Sequence, residues 1–382
     1  MQSRTGRSLF ALSVFLFWLA HYLYMSTLPV YLRSKTDSLG QVGTVLAMYG
    51  LWQVVLRFPL GRLVDRVGRH KLFILCGTAL AGLGALLLCR AGGFWGLMAG
   101  RSLAGISMAT WVLQVVAFSA FFDLKETVRA GAILTLVSSL AKLTGTSLNG
   151  VLNTLGGYSL PFLLSAATIA AAMILLLPVG DPTRRISSSP PQAGYVRELL
   201  KKPSVVCPSL LAIISQFINF SVTFGFLPLL AGQLGADDVL KSLLISVNIL
   251  ALILGNLLVA GLAGRIKATV LMTASFTFFT IGVTGTAVTG QLGWLFVLQA
   301  LLGLAHGIGY PTLIGTTISE VPQNQRATAL GLHQTVYALG MFAGPWLSGH
   351  LADLIGVRGT FGIIAGICAV FSTLIIRRLR RR

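Results

Sequence analysis

The sequence predicts an all-α integral membrane protein, with twelve transmembrane helices in two pseudo-symmetric six-helix bundles. Hydrophobic residues make up 55% of the 382 residues and charged residues only 10%, whereas a soluble domain carries about 25% charged residues. The apolar residues fall into twelve runs, each near the length of about 20 residues that a spanning helix needs. A chain this apolar and this poor in charge belongs in lipid.

The predicted spans follow one another with mostly short connections, as in a compact helical bundle. Numbered 1 to 12 in chain order, they cover residues 9–32, 41–60, 72–90, 94–118, 130–152, 158–178, 204–230, 239–262, 269–289, 292–317, 328–350 and 358–376.

The formal net charge of +19 does not indicate a nucleic-acid partner, because the basic residues cluster in short segments between apolar runs. With the N-terminus inside, 21 Lys and Arg residues fall in inner segments and 5 in outer segments. Cytoplasmic segments of membrane proteins carry an excess of Lys and Arg. We therefore expect a multi-pass protein of the cytoplasmic (inner) membrane with both termini in the cytoplasm. No small-residue cleavage site follows the first apolar run, which predicts a retained span rather than a signal peptide.

The longest polar stretch divides the spans six and six. Residues 179–203 contain Asp-Pro and Ser-Ser-Ser-Pro-Pro, which is typical of a flexible linker. We expect an N-terminal bundle over 1–178, a cytoplasmic linker over 179–203 and a C-terminal bundle over 204–382. Similar residues recur in the two halves at separations of 197 to 200 positions, among them Arg129 and Arg326, Gly145 and Gly344, and Leu148-Asn149-Gly150 and Leu347-Ser348-Gly349.

A charged segment, Gly-Arg-Leu-Val-Asp-Arg-Val-Gly-Arg-His-Lys at 61–71, connects spans 2 and 3. Gly61 and Gly68 predict tight turns on either side of Asp65. Asp65 can pair with Arg66 or Arg69, or lie near a helix N-terminus. A generic positively charged cytoplasmic loop explains the basic residues, but not this spacing of glycine and aspartate.

This segment resembles the signature between helices 2 and 3 of the major facilitator superfamily, and the resemblance extends over the whole chain. It implies a bacterial twelve-helix transporter similar to drug and metabolite exporters, with the substrate site between two six-helix repeats near the midplane. We expect a conformational latch that joins the halves on the cytoplasmic side and stabilises the outward-open form. Its residues are Gly61, Asp65, Arg66, Gly68 and Arg69.

Lys142 is the clearest candidate for contact with a solute, because charged groups inside a membrane are costly and default to functional sites. It lies about 13 residues into span 5, near the midplane. A polar stripe surrounds it at spacings of three and four, which places its members on one helix face, namely Thr135, Ser138, Ser139, Lys142, Thr146 and Asn149. Such a face must contact protein or water rather than lipid. The alternative is a structural lysine bonded to backbone carbonyls or neighbouring side chains.

Further candidates lie at similar depth in other spans. Arg101 with Gly105 in span 4 resembles the superfamily's arginine and glycine signature, which in drug:proton antiporters is tied to coupling, often near a carboxylate on helix 1. Span 1 carries no acid here, so the resemblance implies the position of Arg101 but not its partner, and packing within the N-terminal half is the alternative. The remaining substrate or coupling candidates are His21, His306, Trp111, Asn219, Tyr310 and Tyr337, each of which has a structural alternative.

Acidic residues and the peripheral spans narrow the class of solute. All ten Asp and Glu residues fall outside the central parts of the spans, and spans 3, 6, 9 and 12 contain no His, Asn, Gln, Lys, Asp or Glu there. In the superfamily those four helices are peripheral and the others enclose the cavity. Bulky cations usually need a buried carboxylate, so we expect a neutral to positive cavity that favours anionic, zwitterionic or neutral polar solutes.

The favoured function is secondary active transport of a small solute by alternating access, with efflux as the expected direction and protons as a candidate coupling ion. A multidrug/proton antiporter for lipophilic compounds is one alternative. A non-transporting receptor or sensor on the same fold is another. No nucleophile motif, metal-binding spacing or buried acid pair indicates an enzyme, a metal or a cofactor. We expect a monomer in the bilayer.

Overall fold

The computed structural model describes residues 4–123, 126–181, 197–262, 264–322 and 325–380. Within these ranges the chain forms helices and no β-strand. The helices are Arg4–Tyr22, Leu28–Arg33, Leu39–Val67, His70–Arg90, Phe94–Ala109, Trp111–Ser119, Thr127–Gly156, Ser159–Leu176, Pro203–Ile218, the π-helix Asn219–Phe226, Leu227–Gln233, Asp238–Leu262, Ala268–Val288, Leu292–Ser319 and Arg326–Arg380.

Ten helical stretches in the described part are long and apolar enough to cross a membrane. The last of them, Thr328–Leu379, contains both span 11 and span 12. The two spans meet at a kink at Gly356, whose φ is 75°. Span 1 is interrupted and adds a further passage, made of Arg4–Tyr22 and Leu28–Arg33. The described residues therefore make twelve passages, and the prediction of an all-α membrane fold is confirmed.

Span 2 extends beyond the predicted range of 41–60 and continues as a helix to Val67. Gly68 ends it in the left-handed conformation, with φ at 66°, and donates its backbone N–H to Val64 O at 2.8 Å. The prediction of a tight turn at Gly61 is wrong, because this residue lies inside the helix. A glycine within a helix costs only about 0.5–1 kcal/mol, which the longer helix offsets. The backbone of Asp65 lies in the last turn of the same helix, and its side chain lies outside the described part.

Spans 1 and 7 are interrupted, which hydrophobic periodicity did not predict. In span 1 the helix ends at Tyr22 and resumes at Leu28. Asn149 Oδ1, from span 5, accepts hydrogen bonds from the backbone N–H and the hydroxyl of Thr27 at 3.0 and 3.1 Å. In span 7, Asn219–Phe226 form a π-helix, a conformation that occurs frequently at functional sites. The first span of each half thus contains a buried backbone irregularity.

The two halves pack in the same way, as the repeated residues predicted. A Cβ added to Gly145 would lie 2.9 Å from the backbone of Tyr22 in span 1, and one added to Gly344 would lie 2.9 Å from Phe217 O in span 7. One added to Gly150 would meet the start of span 8, and one added to Gly349 would meet the start of span 2. Spans 5 and 11 therefore occupy equivalent positions, each joining its own half to the other.

One end of the molecule carries residues 4 and 380, and we call it the terminal end; the opposite end is the distal end. At the distal end the halves are in direct contact. Asp353 accepts hydrogen bonds from Leu39 N and Gly40 N, at 2.8 Å each, at the start of the span 2 helix. Asn153 donates its side-chain amide to Asp238 Oδ2 at 2.9 Å. The distal end is closed by these polar contacts and by the close approach of Gly150 and Gly349 to the facing helices.

Candidate functional site

A cavity lies between the two halves, with about 180 Å³ of space open to water-sized molecules. Its lining comes from spans 1, 2, 4, 5, 7, 8, 10 and 11, and no described residue of spans 3, 6, 9 or 12 contributes. The lining residues are Trp18, Tyr22, Tyr49, Gln53, Arg57, Met108, Trp111, Thr135, Ser138, Ser139, Lys142, Gln216, Asn219, Phe220, Phe224, Asn248, Ile249, Leu252, Asn256, His306, Tyr310, Tyr337 and Met341. The spans that lack strongly polar residues at their centres are thus the ones outside the cavity.

Aromatic pairs that join the two halves mark the distal side of the cavity. Tyr22 packs edge-on against Phe224 at 5.7 Å between ring centroids, and Tyr49 stacks on Phe220 at 5.7 Å. Both phenylalanines belong to the π-helix of span 7. On the other side, the lining extends toward the terminal end as far as Thr135, which is exposed. The cavity is therefore closed toward the distal end and opens toward the terminal end.

Lys142 projects into this cavity from span 5. Its ammonium nitrogen lies 3.9 Å from the ring centroid of Trp18 and 5.8 Å from that of Tyr22. Cation–π contacts of this kind stabilise a charged amine by about 0.5–2 kcal/mol. No acidic side chain in the described ranges forms an ion pair with Lys142. The ammonium group is thus held in place by aromatic faces, which leave its N–H donors available to an acceptor in the cavity.

The polar stripe around Lys142 has two functions along its length. Thr135, Ser138 and Ser139 line the cavity with Lys142. Further toward the distal end, Thr146 accepts a hydrogen bond from Ser246 of span 8 at 3.0 Å. Asn149 binds the interruption of span 1. The same helix face therefore forms the cavity wall at its centre and joins neighbouring spans beyond it.

Facing Lys142, spans 10 and 11 contribute a row of three rings. His306 forms a hydrogen bond with Ser215 Oγ through its Nδ1, at 3.1 Å, and its ring is nearly parallel to that of Tyr310, at 5.9 Å between centroids. Tyr310 in turn packs edge-on against Tyr337 at 6.3 Å. His306 and Lys142 line the same cavity from opposite halves. The three residues predicted separately from three positions in the sequence thus form one continuous surface.

Arg57 lies at the end of this row, against Tyr337, and it is not among the site residues predicted from the sequence. Its guanidinium donates to Tyr337 Oη at 2.9 Å and to Gln334 O at 3.2 Å, both in span 11. It also donates to Gln53 Oε1 in its own helix and lies over the Tyr337 ring at 5.1 Å. Its Nε is buried and has no hydrogen-bond partner in the described part of the chain. The signal that could have identified Arg57 was the one used for Lys142, a cation inside a span.

Trp111 and Asn219, predicted from spans 4 and 7, both line the cavity. Trp111 packs edge-on against Trp18 at 5.0 Å between centroids and so supports the ring that holds Lys142. Asn219 begins the π-helix of span 7. The structure thus brings Lys142, His306, Trp111, Asn219, Tyr310 and Tyr337 together.

His21 and Arg101 are not among the lining residues, contrary to the expectation that they face the cavity. His21 is buried and donates through Nδ1 to Phe17 O at 2.8 Å, four residues earlier in its own helix. Arg101 is 1% exposed, with its guanidinium carbon 4.3 Å from the Tyr49 ring centroid and a nitrogen 3.6 Å from Met25 Sδ. Both lie inside the N-terminal half, where His21 bonds within its own helix and Arg101 packs against Tyr49 and Met25. The buried Nε of Arg101, like that of Arg57, has no hydrogen-bond partner among the described residues.

The charged segment at 61–71 lies at the terminal end, away from the distal contacts between the halves. Arg66 and Arg69 are exposed. Lys71 donates its ammonium to Leu177 O of span 6 at 2.6 Å, and its backbone N–H to Asp181 Oδ2, just after that span, at 3.1 Å. In this conformation the contacts of Lys71 hold the segment against span 6.

Comparison with known proteins gives one family. The model of the Major Facilitator Superfamily matches residues 10–217 and 209–382. The tetracycline resistance protein, class H, of Pasteurella multocida is 26% identical, with 85% of this chain and 83% of the relative covered. The transcription regulatory protein OpdE of Pseudomonas aeruginosa is 26% identical, with 99% and 95% covered. A bacterial homologue of the human lysosomal transporter Spinster, solved in an inward-facing and unoccupied conformation, has a TM-score of 0.79 at 17% identity, with 98% of both chains covered, which shows a shared fold.

Proposed function

Because the chain belongs to the major facilitator superfamily and is therefore a multi-pass membrane transporter rather than an enzyme, we propose that it moves a small organic anion by alternating access. Lys142 carries this proposal. It is a cation held inside the cavity by Trp18 and Tyr22, and among the described residues no Asp or Glu lines the same cavity. A charge in low dielectric is costly unless it is compensated. An anionic solute compensates it, whereas a cationic solute adds to it.

The excess of basic residues at the terminal end supports a cytoplasmic location for both termini, since Lys and Arg accumulate on that side. The cavity then opens to the cytoplasm in the present conformation, as the inward-facing state named for the Spinster homologue does for that protein. A cavity loaded from the cytoplasm suits efflux, our proposed direction. In this scheme residues 1–178 and 204–382 move as two units joined by the linker at 179–203.

The outward-open state requires new contacts at the terminal end. We assign these to Gly61, Asp65, Arg66, Gly68 and Arg69, which lie on the side where the halves would close. The arginines are exposed in the present conformation and are therefore available to the opposite half. Substitution of Asp65 by Asn should reduce transport while leaving the yield of folded protein unchanged. Normal transport by this variant would contradict the assignment.

The experiment that tests the anion proposal uses purified protein in liposomes with radiolabelled benzoate as the probe. Replacing Lys142 with Gln removes a charge-assisted contact, which contributes about 1.5–3 kcal/mol, so benzoate affinity should fall roughly 10- to 150-fold. Lys267→Gln is the matched control, because Lys267 is exposed and lies outside the cavity. Equal benzoate transport by wild type, the Lys142 variant and the control would refute the proposal.

A multidrug/proton antiporter is the second candidate, favoured by the tetracycline-resistance relative and by the aromatic lining of the cavity. Transport of tetracycline or of a lipophilic cation such as ethidium, driven by an imposed pH gradient and indifferent to benzoate, would select it. His306 is the candidate proton carrier, because its imidazole can bind a proton and it lines the cavity. His306→Gln would then abolish pH-driven movement.

A regulator without transport is the third candidate, because the OpdE relative is named for transcription regulation. It predicts binding of a solute without its passage. Liposomes that contain the protein would show saturable binding and no accumulation of the probe inside, whereas a transporter gives both.

A further inference from the structure

Two cations, Lys142 and Arg57, line the same cavity together with the rings of His306, Tyr310 and Tyr337. Lys142 lies against Trp18 and Tyr22, and Arg57 lies against Tyr337. The rings of His306, Tyr310 and Tyr337 follow one another in steps of 5.9 and 6.3 Å between centroids. The two charges thus have different aromatic partners in one cavity, with a row of three rings in the same lining.

Neither cation has an acidic partner within the described part of the chain, where the ion pairs are Arg129 with Glu126 and Lys241 with Asp238. Arg57 uses some of its donors on Gln53, Gln334 and Tyr337, but its buried Nε has no partner. A buried polar group without a hydrogen bond is unfavourable, and a buried charge more so. Among the described residues, no acidic side chain thus compensates either charge, and no acceptor pairs with Arg57 Nε.

The two ends differ in the geometry that they offer. The guanidinium of Arg57 is planar, and its fixed N–H donors match a carboxylate, whereas the ammonium of Lys142 is a compact point charge with three donors. The nearly parallel rings of His306 and Tyr310, and the Tyr337 ring inclined to them, offer contacts to an aromatic body. Such contacts contribute about 0.5–1.5 kcal/mol per aromatic pair beyond area burial. A single carboxylate occupies one end of the row and leaves the other charge uncompensated.

We propose that the solute is an elongated aromatic dianion, with one acidic group on Lys142, the second on Arg57, and an aromatic body in contact with the rings of His306, Tyr310 and Tyr337. This deepens the proposed function and rests on it. The dianion neutralises both cations in one binding event, so it binds more tightly than a monoanion with the same body. Arg57 then determines the preference for two acidic groups, and Lys142 contributes to the binding of either class.

The test uses three probes of one shape: biphenyl-4,4′-dicarboxylate, biphenyl-4-carboxylate and the uncharged biphenyl-4,4′-dicarboxamide. Their dissociation constants for the purified full chain are measured by calorimetry. We expect the dicarboxylate to bind at least 10-fold more tightly than the monocarboxylate, and the dicarboxamide to bind most weakly. Arg57→Gln should reduce this preference to less than 3-fold, and Lys142→Gln should weaken binding of both acids at least 10-fold.

Arg62→Gln is the matched control, because Arg62 is an exposed arginine of the same span that lies over Phe58 and outside the cavity. It should retain the full preference for the dicarboxylate. Arg57→Lys keeps the charge without the planar donors and should retain part of the preference, which separates recognition from a loss of folding.

The two levels of the proposal fail in different ways. Equal binding of the mono- and dicarboxylate, with both dependent on Lys142, overturns the dianion inference and leaves the anion proposal standing. Tighter binding of the dicarboxamide than of either acid overturns both. An unchanged preference in Arg57→Gln assigns the second acidic group elsewhere and overturns the role of Arg57.

Discussion

Replacing Asp353 with Asn should move the molecule away from the conformation described here. The carboxylate accepts two backbone N–H groups, from Leu39 and Gly40, at 2.8 Å each, at the N-terminus of the span 2 helix. It belongs to span 11 and its partners to span 2, so these contacts exist only while the distal end is closed. When the halves separate there, water replaces both contacts.

The size of this conformational shift follows from the loss of a negative charge at a helix N-terminus. A negative charge in that position contributes about 0.3–1 kcal/mol, and up to about 2 kcal/mol when partly buried. Asparagine keeps one carbonyl acceptor and loses the charge and the second charge-assisted bond. A net loss of about 1–2 kcal/mol corresponds to a roughly 5- to 30-fold shift toward the state with an open distal end.

The assay is double electron–electron resonance on protein in lipid nanodiscs. Spin labels at Lys35→Cys and Val288→Cys place one exposed probe at the distal end of each half, after the accessible Cys76 and Cys89 are replaced with Ser. The ratio of long to short distances should rise in Asp353→Asn by the stated factor.

Asp37→Asn is the control, since Asp37 is an exposed acid of the same end and the distal contacts described above do not involve it. A ratio that stays at the wild-type value in Asp353→Asn, or that rises equally in the control, would refute the reasoning.

Three further predictions concern stability and packing. Gly68→Ala should lower the free energy of unfolding by about 1–2 kcal/mol, because φ at this position is 66°. Gly61→Ala, inside a helix with open space around it, should leave the free energy of unfolding unchanged or raise it by about 0.5–1 kcal/mol. Equal losses of stability for the two variants in thermal unfolding would contradict this difference. Gly150→Leu should raise the long-distance population in the resonance experiment, because the leucine side chain would collide with the backbone at the start of span 8. An unchanged distance distribution would count against close contact between Gly150 and span 8. Asn149→Ala should lower the free energy of unfolding by about 1–3 kcal/mol, because the N–H and O–H of Thr27 then lose their buried acceptor. An unchanged midpoint of thermal unfolding would disprove this prediction.

The parts of the fold that the sequence predicts are those set by local composition. The spans, their number and the polar face of span 5 follow from the cost of placing polar groups in lipid, and this cost acts at each residue separately. The position of Lys142 in a cavity follows from the same cost, because six polar residues at helical spacing cannot all contact acyl chains. The recurrence of Leu148-Asn149-Gly150 as Leu347-Ser348-Gly349 indicated two related halves, and in the structure Gly150 and Gly349 both approach the facing helices closely.

The parts that the sequence did not predict depend on contacts between distant residues. The interruption of span 1 is stabilised by Asn149, more than 100 residues away, and no local propensity encodes that partner. His21 was expected in the cavity from its depth, but a hydrogen bond to Phe17 O fixes it within its own helix. The role of Arg57 depends on Tyr337 and Gln334 in the opposite half. Depth along a helix is readable from sequence, whereas the direction a side chain faces depends on which helix packs beside it.

Arg57 links the binding of an anion to the contact between the halves. Its N–H groups bind Gln334 O and Tyr337 Oη across the interface, and the same guanidinium lines the cavity. A carboxylate that binds Arg57 competes for these donors and so weakens a contact of the present conformation. A ligand shifts a conformational equilibrium only through different interactions with the two states, and a solute without a second acidic group makes no such contact at Arg57. The dianion preference and the coupling of binding to conformational change therefore depend on one side chain, so that Arg57→Gln should reduce both together.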